Sequence, residues 1–164
     1  MSLGLIVKSL HVLSAIWFIS GMVGRGVAFW QAAKTTHAHT AYTLVKLSDF
    51  FEQRMVIPGS ASVLLFGVIV TWLQGWPLLG FLQGAKSNWL LVSLVLYLSP
   101  TPLIPLYLIP RRKHRANVAE EALAQGSVTP ELTAALNDKG VIACRTAELI
   151  IAVVVTILMI TKPF

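Results

Sequence analysis

The chain has few charged residues and a single cysteine. Charged residues make up 12% of its 164 residues, about half the share found in soluble domains. Because Cys144 is the only cysteine, disulfide bonds within the chain and metal sites built from several thiolates are excluded. The sequence also lacks a nucleotide-binding glycine loop, a zinc-hydrolase helix motif and the serine nucleophile motif of hydrolases. These absences exclude the enzyme classes that such motifs define.

Apolar residues dominate the chain instead. Hydrophobic residues make up 55% of the sequence and the mean hydropathy is +0.73, which is typical of proteins embedded in lipid. Four apolar segments reach the length of about 20 residues that a helix needs to cross a bilayer: 3–24, 55–74, 89–109 and 141–161. We therefore predict an all-α fold, a four-transmembrane-helix bundle that forms a single integral membrane domain over residues 1–164. The first segment lacks a basic leader and a cleavage site, so we expect it to remain as a span.

Basic residues are distributed unevenly over the connections between these segments. Ten of the thirteen Lys and Arg residues lie in or beside the first and third connections, and the opposite side has only Lys8, Lys86 and Lys162. Because cytoplasmic flanks are enriched in Lys and Arg, this pattern predicts that both termini lie on the outer side. Membrane topology thus explains the net charge of +6, and we predict no nucleic-acid partner.

The third segment and the connection after it contain many prolines and basic residues. Four prolines crowd the inner half of the segment, at Pro100, Pro102, Pro105 and Pro110. They remove backbone donors that lipid cannot replace, so we predict a kink or a widened turn there. The basic run 111–115 follows, and we interpret it as a topology anchor near anionic lipid. Residues 116–140 predict a short cytoplasmic helical hairpin, with Thr129 as an N-cap, Pro130 at the first helical position and Gly140 before the fourth segment.

Five ionisable residues lie in or beside the inner ends of the apolar segments: Arg25, Glu52, Arg54, Arg145 and Glu148. A charge near the centre of a membrane helix costs at least about 2.5–3.5 kcal/mol on insertion scales, so such residues are usually paired or functional. One interpretation is an ion-pair network that neutralises itself and holds the helix ends in register, with Arg145 and Glu148 as neighbours on one helix. The other is a polar cavity for a proton, an ion or an anionic group, with Glu148 as the best candidate acid.

His11 stands alone in the outer half of the first apolar segment. Its imidazole could hydrogen-bond Ser14 or another helix, or it could ligate haem iron between apolar walls. The apolar segments contain no second histidine, so a haem at His11 would need a different sixth ligand, a partner chain or an open position. His37 and His39 form a His-x-His pair in the first connection, which needs a further ligand to hold a metal, and we predict no metal site.

Several short motifs carry a resemblance to a known family. The run from Leu5 to Gly21, the run from Arg54 to Gly59, Pro105 and the ending from Leu158 to Pro163 are its basis. These motifs resemble a bacterial family of uncharacterised predicted four-helix integral membrane proteins, a domain of unknown function. The resemblance covers nearly the whole chain, and it implies a multi-pass protein of the bacterial inner (plasma) membrane.

The start Lys8-Ser9-Leu10-His11 is also distantly similar to the copper-resistance D proteins and the membrane protoporphyrinogen oxidases related to them. In the oxidase group a first-helix histidine is linked to haem, so the resemblance implies haem ligation at His11 alone. The inner charged network and the third segment depart from that pattern. No oxidase activity is therefore carried over, and whether the chain is an enzyme stays open.

Three functional hypotheses follow. The first is binding of b-type haem, or another hydrophobic cofactor, through His11. The second is a non-catalytic accessory or scaffold subunit that docks in the lipid bilayer with a membrane-protein partner or as a homo-oligomer. The third is an ion or proton pathway near Glu148.

Overall fold

Helices form the regular structure of the protein's computed structural model, which describes residues 2–163 and contains no strand in that range. The seven α-helices are α1 (Leu3–Lys34), α2 (Ala38–Phe51), α3 (Ile57–Leu73), α4 (Trp89–Leu98), α5 (Ile109–Gln125), α6 (Pro130–Leu136) and α7 (Lys139–Thr161). Two π-helical turns, Glu52–Val56 and Ile104–Leu108, lead into α3 and α5, and a 3-10 turn at Gly80–Gln83 precedes α4. The all-α prediction is confirmed.

Three helical runs are long and apolar enough to cross a membrane: α1, the continuous run Ala38–Leu73, and the run Pro130–Thr161 that contains α7. The 32 residues of α1 correspond to about 48 Å, whereas the hydrocarbon core of a bilayer is about 30 Å thick. The first run continues past the predicted segment 3–24 to Lys34, and the second begins at Ala38, well before the predicted segment 55–74. In contrast, α4 has only 10 residues, about 15 Å, which is too short to cross alone.

Proline positions explain both π-helical turns. Each turn ends two residues before a proline, Pro58 in the first case and Pro110 in the second. Proline has no N–H group and its ring collides with the carbonyl four residues earlier, so the preceding turn widens. In both turns the amide just before the proline donates to the carbonyl five residues back. The predicted widened turn in the third segment is confirmed, and α4 already ends at Leu98.

Small residues bring α1 and α3 into close antiparallel contact. A Cβ atom added at Gly21 would lie 2.6 Å from the Cβ of Met55, and one added at Gly59 would lie 3.0 Å from the backbone of α1. A Cβ at Gly67 would lie 3.0 Å from the imidazole of His11. Membrane helices often associate through small residues in this way, because van der Waals packing replaces the hydrophobic driving force that water provides.

The larger buried core lies at one end of the bundle, which we call the basic end because it contains the run 111–115. Side chains from α1, α2, α5, α6 and α7 meet there, and many are alanines: Phe29, Ala32, Ala41, Val45, Val118, Ala119, Ala122, Leu132, Leu136 and Val141. A second cluster, Met22, Val56 and Ala152, lies between the spans. Exposed apolar side chains such as Leu13 and Ile160 cover the outer faces of the spans, as in helices that are surrounded by lipid.

The hairpin of α5 and α6 has the predicted capping residues. Thr129 caps α6 by accepting a hydrogen bond from an amide of its first turn, and Pro130 is the first helical residue. The prediction that Gly140 separates the hairpin from the fourth segment is wrong. Asp138 caps α7 by accepting from two amides of its first turn, so the helix begins one residue before Gly140. Partial burial raises the pKa of Asp138, but these hydrogen bonds and nearby Arg111 outweigh it and hold the pKa below its ordinary value.

The close contact of α1 with the run Ala38–Leu73 can be tested with one methyl group. Gly21→Ala should lower the thermal stability, because overpacking of this kind typically costs about 1–3 kcal/mol. Gly26 lies on the same helix and has no atom within 4 Å of an added Cβ, so Gly26→Ala should leave the stability unchanged or raise it slightly. Thermal unfolding in detergent, followed by tryptophan fluorescence, measures both. Equal unfolding midpoints for the two variants would contradict the contact.

Candidate functional site

Arg25 is the centre of the charged residues that the structure brings together. Its Nη1 donates to Oε2 of Glu52 at 2.6 Å, and its Nη2 donates to Oε2 of Glu148 at 2.7 Å. Only 2% of Arg25 is exposed. Arg25 lies about 33 Å along α1 from Leu3. A hydrocarbon core that begins at Leu3 and is about 30 Å thick would therefore have its opposite edge close to Arg25. One guanidinium therefore ties α1 to the run Ala38–Leu73 and to α7.

The backbone around this triad supports it. Glu52 is the first residue of the π-helical turn that precedes Pro58, and π-helical turns are frequent at functional sites. One turn earlier, the buried hydroxyl of Ser48 donates to the backbone carbonyl of Arg25 at 3.3 Å. A Cβ added at Gly24 would lie 2.8 Å from the ring of Phe51, so α1 approaches the helix that carries Glu52 closely.

A second group of charges surrounds the ring of Phe29. Arg115 of α5 donates to Oδ1 of Asp49 at 3.1 Å, and its guanidinium carbon lies 5.1 Å from the centre of that ring. The guanidinium carbon of Arg145, on α7, lies 4.7 Å from the same centre. Arg145 forms no ion pair with a carboxylate in residues 2–163, and its Nη1 is buried without a hydrogen-bond partner.

The observed network differs from the predicted one in three respects. Arg54 is exposed and forms no ion pair within the described range. Arg145 does not pair with Glu148 although they are three residues apart on α7, because a Glu148 oxygen is bound by Arg25 instead. The pair of Asp49 and Arg115 was not predicted. The position of Asp49 one turn before Glu52 was the available signal.

A cavity of about 320 Å³ opens beside Glu148. It lies between α7 and the turns that follow α4, and its walls include Pro100, Leu103, Cys144 and Ala147. Glu148 is the one carboxylate among its lining residues. Because Arg25 binds only one of the two oxygens of that carboxylate, the acid retains acceptor capacity next to the cavity.

His11 lies apart from these charges, in the half of α1 that is remote from the basic end. Its Nδ1–H donates to the backbone carbonyl of Val63 in α3 at 3.0 Å. Because a carbonyl oxygen can only accept, Nδ1 carries the proton and Nε2 of the neutral ring keeps its lone pair. The ring is half-buried and occupies the space left by Gly67. Its partner is thus another helix and not Ser14.

The other histidines are exposed near the basic end: His37, His39 and His114. Between residues 2 and 163, no group of three His, Cys, Asp or Glu side chains is placed to hold a metal ion.

Removing one member of the Arg25 triad should destabilise the protein strongly. Arg25→Gln leaves the carboxylates of Glu52 and Glu148 without their cation, and breaking a buried ion pair typically costs about 3–5 kcal/mol. The triple variant with Gln at positions 25, 52 and 148 should recover much of this loss, because it removes the two carboxylates together with their cation. Lys46→Gln, which breaks the exposed pair with Glu120, should cost at most about 1 kcal/mol.

Unfolding in mixed micelles with increasing dodecyl sulfate measures these differences. A loss in Arg25→Gln no larger than that in Lys46→Gln would show that the triad does not hold the helices together.

Comparison with known proteins agrees with the predicted family. The family described as "Predicted integral membrane protein (DUF2269)" matches residues 5–163, almost the whole chain. No curated protein and no solved structure matches it. The distant similarity to copper-resistance D proteins is not shown by these comparisons. The long helices with exposed apolar outer faces agree with the family description. The chain belongs to the DUF2269 family of predicted integral membrane proteins.

Proposed function

We propose that this integral membrane protein crosses the bacterial inner membrane four times, with both termini outside. The helices α1, α3 and α7 provide three crossings, and the segment from Trp89 to Ile109 provides the fourth. That segment has about the length of a span, and α4 packs against α7. Non-helical backbone is tolerated at membrane depth where it lines a cavity, and Pro100 and Leu103 of the broken stretch line the cavity beside Glu148. The concentration of Lys and Arg at the basic end supports a cytoplasmic location for that end.

Within this arrangement, we propose that His11 binds b-type haem through Nε2. The observation that supports this is the hydrogen bond from Nδ1 to the Val63 carbonyl. Histidines that ligate metals usually donate their other ring N–H to a carbonyl or a carboxylate, which fixes the tautomer and the orientation of the ring. The same bond fixes His11, and Gly67 leaves the space that the ring needs. Bound haem would supply one-electron redox chemistry.

The residues of this chain fit such a haem with one axial ligand. The imidazole is half-buried, so its ring is not sealed inside the bundle, and the apolar residues Val7 and Ala15, one turn away on either side, share its face of α1. The other three histidines lie at the basic end, which leaves the second axial position to a partner chain, to a different residue or open. The chain's own contribution is to orient the imidazole and to surround it with apolar side chains.

An absorption spectrum of the protein purified after haem-replete expression tests this proposal. We expect a Soret band in the wild type and in His114→Ala, whose histidine is exposed at the basic end. The band should be lost in His11→Ala, provided that this variant elutes as a single species in detergent. A wild-type protein without the band, or a His11→Ala variant with an unchanged band, would refute haem ligation by His11.

A second candidate function is proton or ion passage near Glu148. The supporting observation is the cavity beside this carboxylate, in the inner half of α7. Glu148 lies about 20 Å from Thr161, at the other end of α7. A proton that leaves Glu148 toward Thr161 would therefore have to cross most of the apolar span. Carboxylates inside membrane bundles often mark such pathways.

Proton flux across the membrane of liposomes that contain the protein tests this second candidate. In vesicles that contain a pH-sensitive dye, Glu148→Gln should reduce proton flux driven by a potassium diffusion potential to the background rate. The control is Glu120→Gln, at an exposed residue of α5, which should conduct like the wild type. Equal flux in Glu148→Gln and the wild type, or no wild-type flux above empty vesicles, would reject the pathway.

A further inference from the structure

We propose that the protein binds a phosphate-bearing anion at Arg145, within the charged group around Phe29. This site lies at the basic end, whereas His11 lies in the opposite half of α1, so the proposal does not depend on haem binding. Its basis is the way in which the carboxylates are shared among three arginines.

Three arginines and three carboxylates meet in this region, but the pairing is unequal. Arg25 binds both Glu52 and Glu148, and Arg115 binds Asp49. Arg145 receives none of them. Its Nη1 is nevertheless buried, and it makes no hydrogen bond within residues 2–163. Leaving a buried charged donor without an acceptor is costly, and such a group commonly marks a missing water, ion or ligand.

The surroundings of Arg145 favour an anion as the missing partner. Its guanidinium lies against the same aromatic ring as that of Arg115, so two cations share Phe29. The face of an aromatic ring attracts each cation, and Asp49 neutralises Arg115, but the ring carries no net charge with which to neutralise Arg145. A bound anion would supply the acceptor that Arg145 lacks. The planar fork of N–H groups in arginine matches the oxygens of a phosphate group.

The position of Arg145 favours a phosphate-bearing ligand over other anions. It lies about 24 Å along α7 from Thr161, which places it near the inner edge of a hydrocarbon core that begins there. Lipid phosphates lie just beyond that edge, in the headgroup region. Arg145 is partly exposed as a residue, although its Nη1 is buried. The exposed cations Arg111 and Lys113 lie at the same end and attract anions to it.

Binding to the purified full-length protein in a non-ionic detergent tests the site. The probes are inorganic phosphate and phosphatidylglycerol, with phosphatidylcholine as the lipid without net charge. Native mass spectrometry and thermal unfolding report binding. We expect phosphatidylglycerol to bind more tightly than phosphatidylcholine, and Arg145→Gln to weaken that binding at least about tenfold. Arg54→Gln removes the same charge from an exposed arginine and should change the affinity less than about twofold.

The two sources of phosphate are distinguished by the probes. Binding of both inorganic phosphate and phosphatidylglycerol, each lost in Arg145→Gln, assigns the site to the phosphate group itself. Binding of phosphatidylglycerol alone assigns it to a lipid headgroup.

Three outcomes would overturn the proposal. The first is that neither phosphate nor phosphatidylglycerol binds to the wild type. The second is that Arg145→Gln binds phosphatidylglycerol as tightly as the wild type does. The third is that Arg54→Gln weakens binding as much as Arg145→Gln does, which would indicate unspecific charge attraction. If Arg145→Gln does not fold, Arg145→Lys decides the question, because it keeps the charge and removes the fork. Affinity several-fold below the wild type supports the site, and unchanged affinity overturns it.

Discussion

The double ion pair of Arg25 is the interaction on which the arrangement of the long helices depends. A buried guanidinium without a counter-ion would be very costly in an apolar bundle, so the fold must bring carboxylates to it. Two arrive, from the π-helical turn before α3 and from α7. Buried ion pairs add little net stability compared with apolar packing, yet they form in one geometry only. Their main effect here is to select a single register for three helical runs that otherwise present similar apolar surfaces.

A second polar contact holds α1 to the same partner run nearer the other end of the bundle. His11 donates to the carbonyl of Val63, and between this contact and Arg25 the glycines at positions 21 and 59 allow the two helices to approach closely. Polar contacts at two levels fix the rotation of α1 about its axis, and the small residues between them set the distance. The position of the His11 imidazole is therefore a consequence of the same packing that places Arg25.

The sequence predicted the features that depend on composition and local rules. Apolar length indicated the helices, and prolines indicated the widened turn. It could not predict how the carboxylates are shared, because that depends on how each helix is rotated against its neighbours. Arg54 illustrates this: it lies inside the π-helical turn, where the extra residue changes the face on which side chains emerge. The Arg145 to Glu148 spacing suggested a pair, but a second helix, α1, supplied a competing cation.

That competition links the stability of the bundle to the unpaired cation. Glu148 binds Arg25 of α1, and Arg145, on the same helix as Glu148, lies beside an aromatic ring and a second arginine without an ion pair among the described residues. Had Glu148 paired locally within α7, Arg145 would be neutralised, but α7 would lose its ionic contact with α1. The contact that joins the helices thus leaves Arg145 without a direct acceptor at the basic end, and an anion bound there would supply one without competing for Arg25.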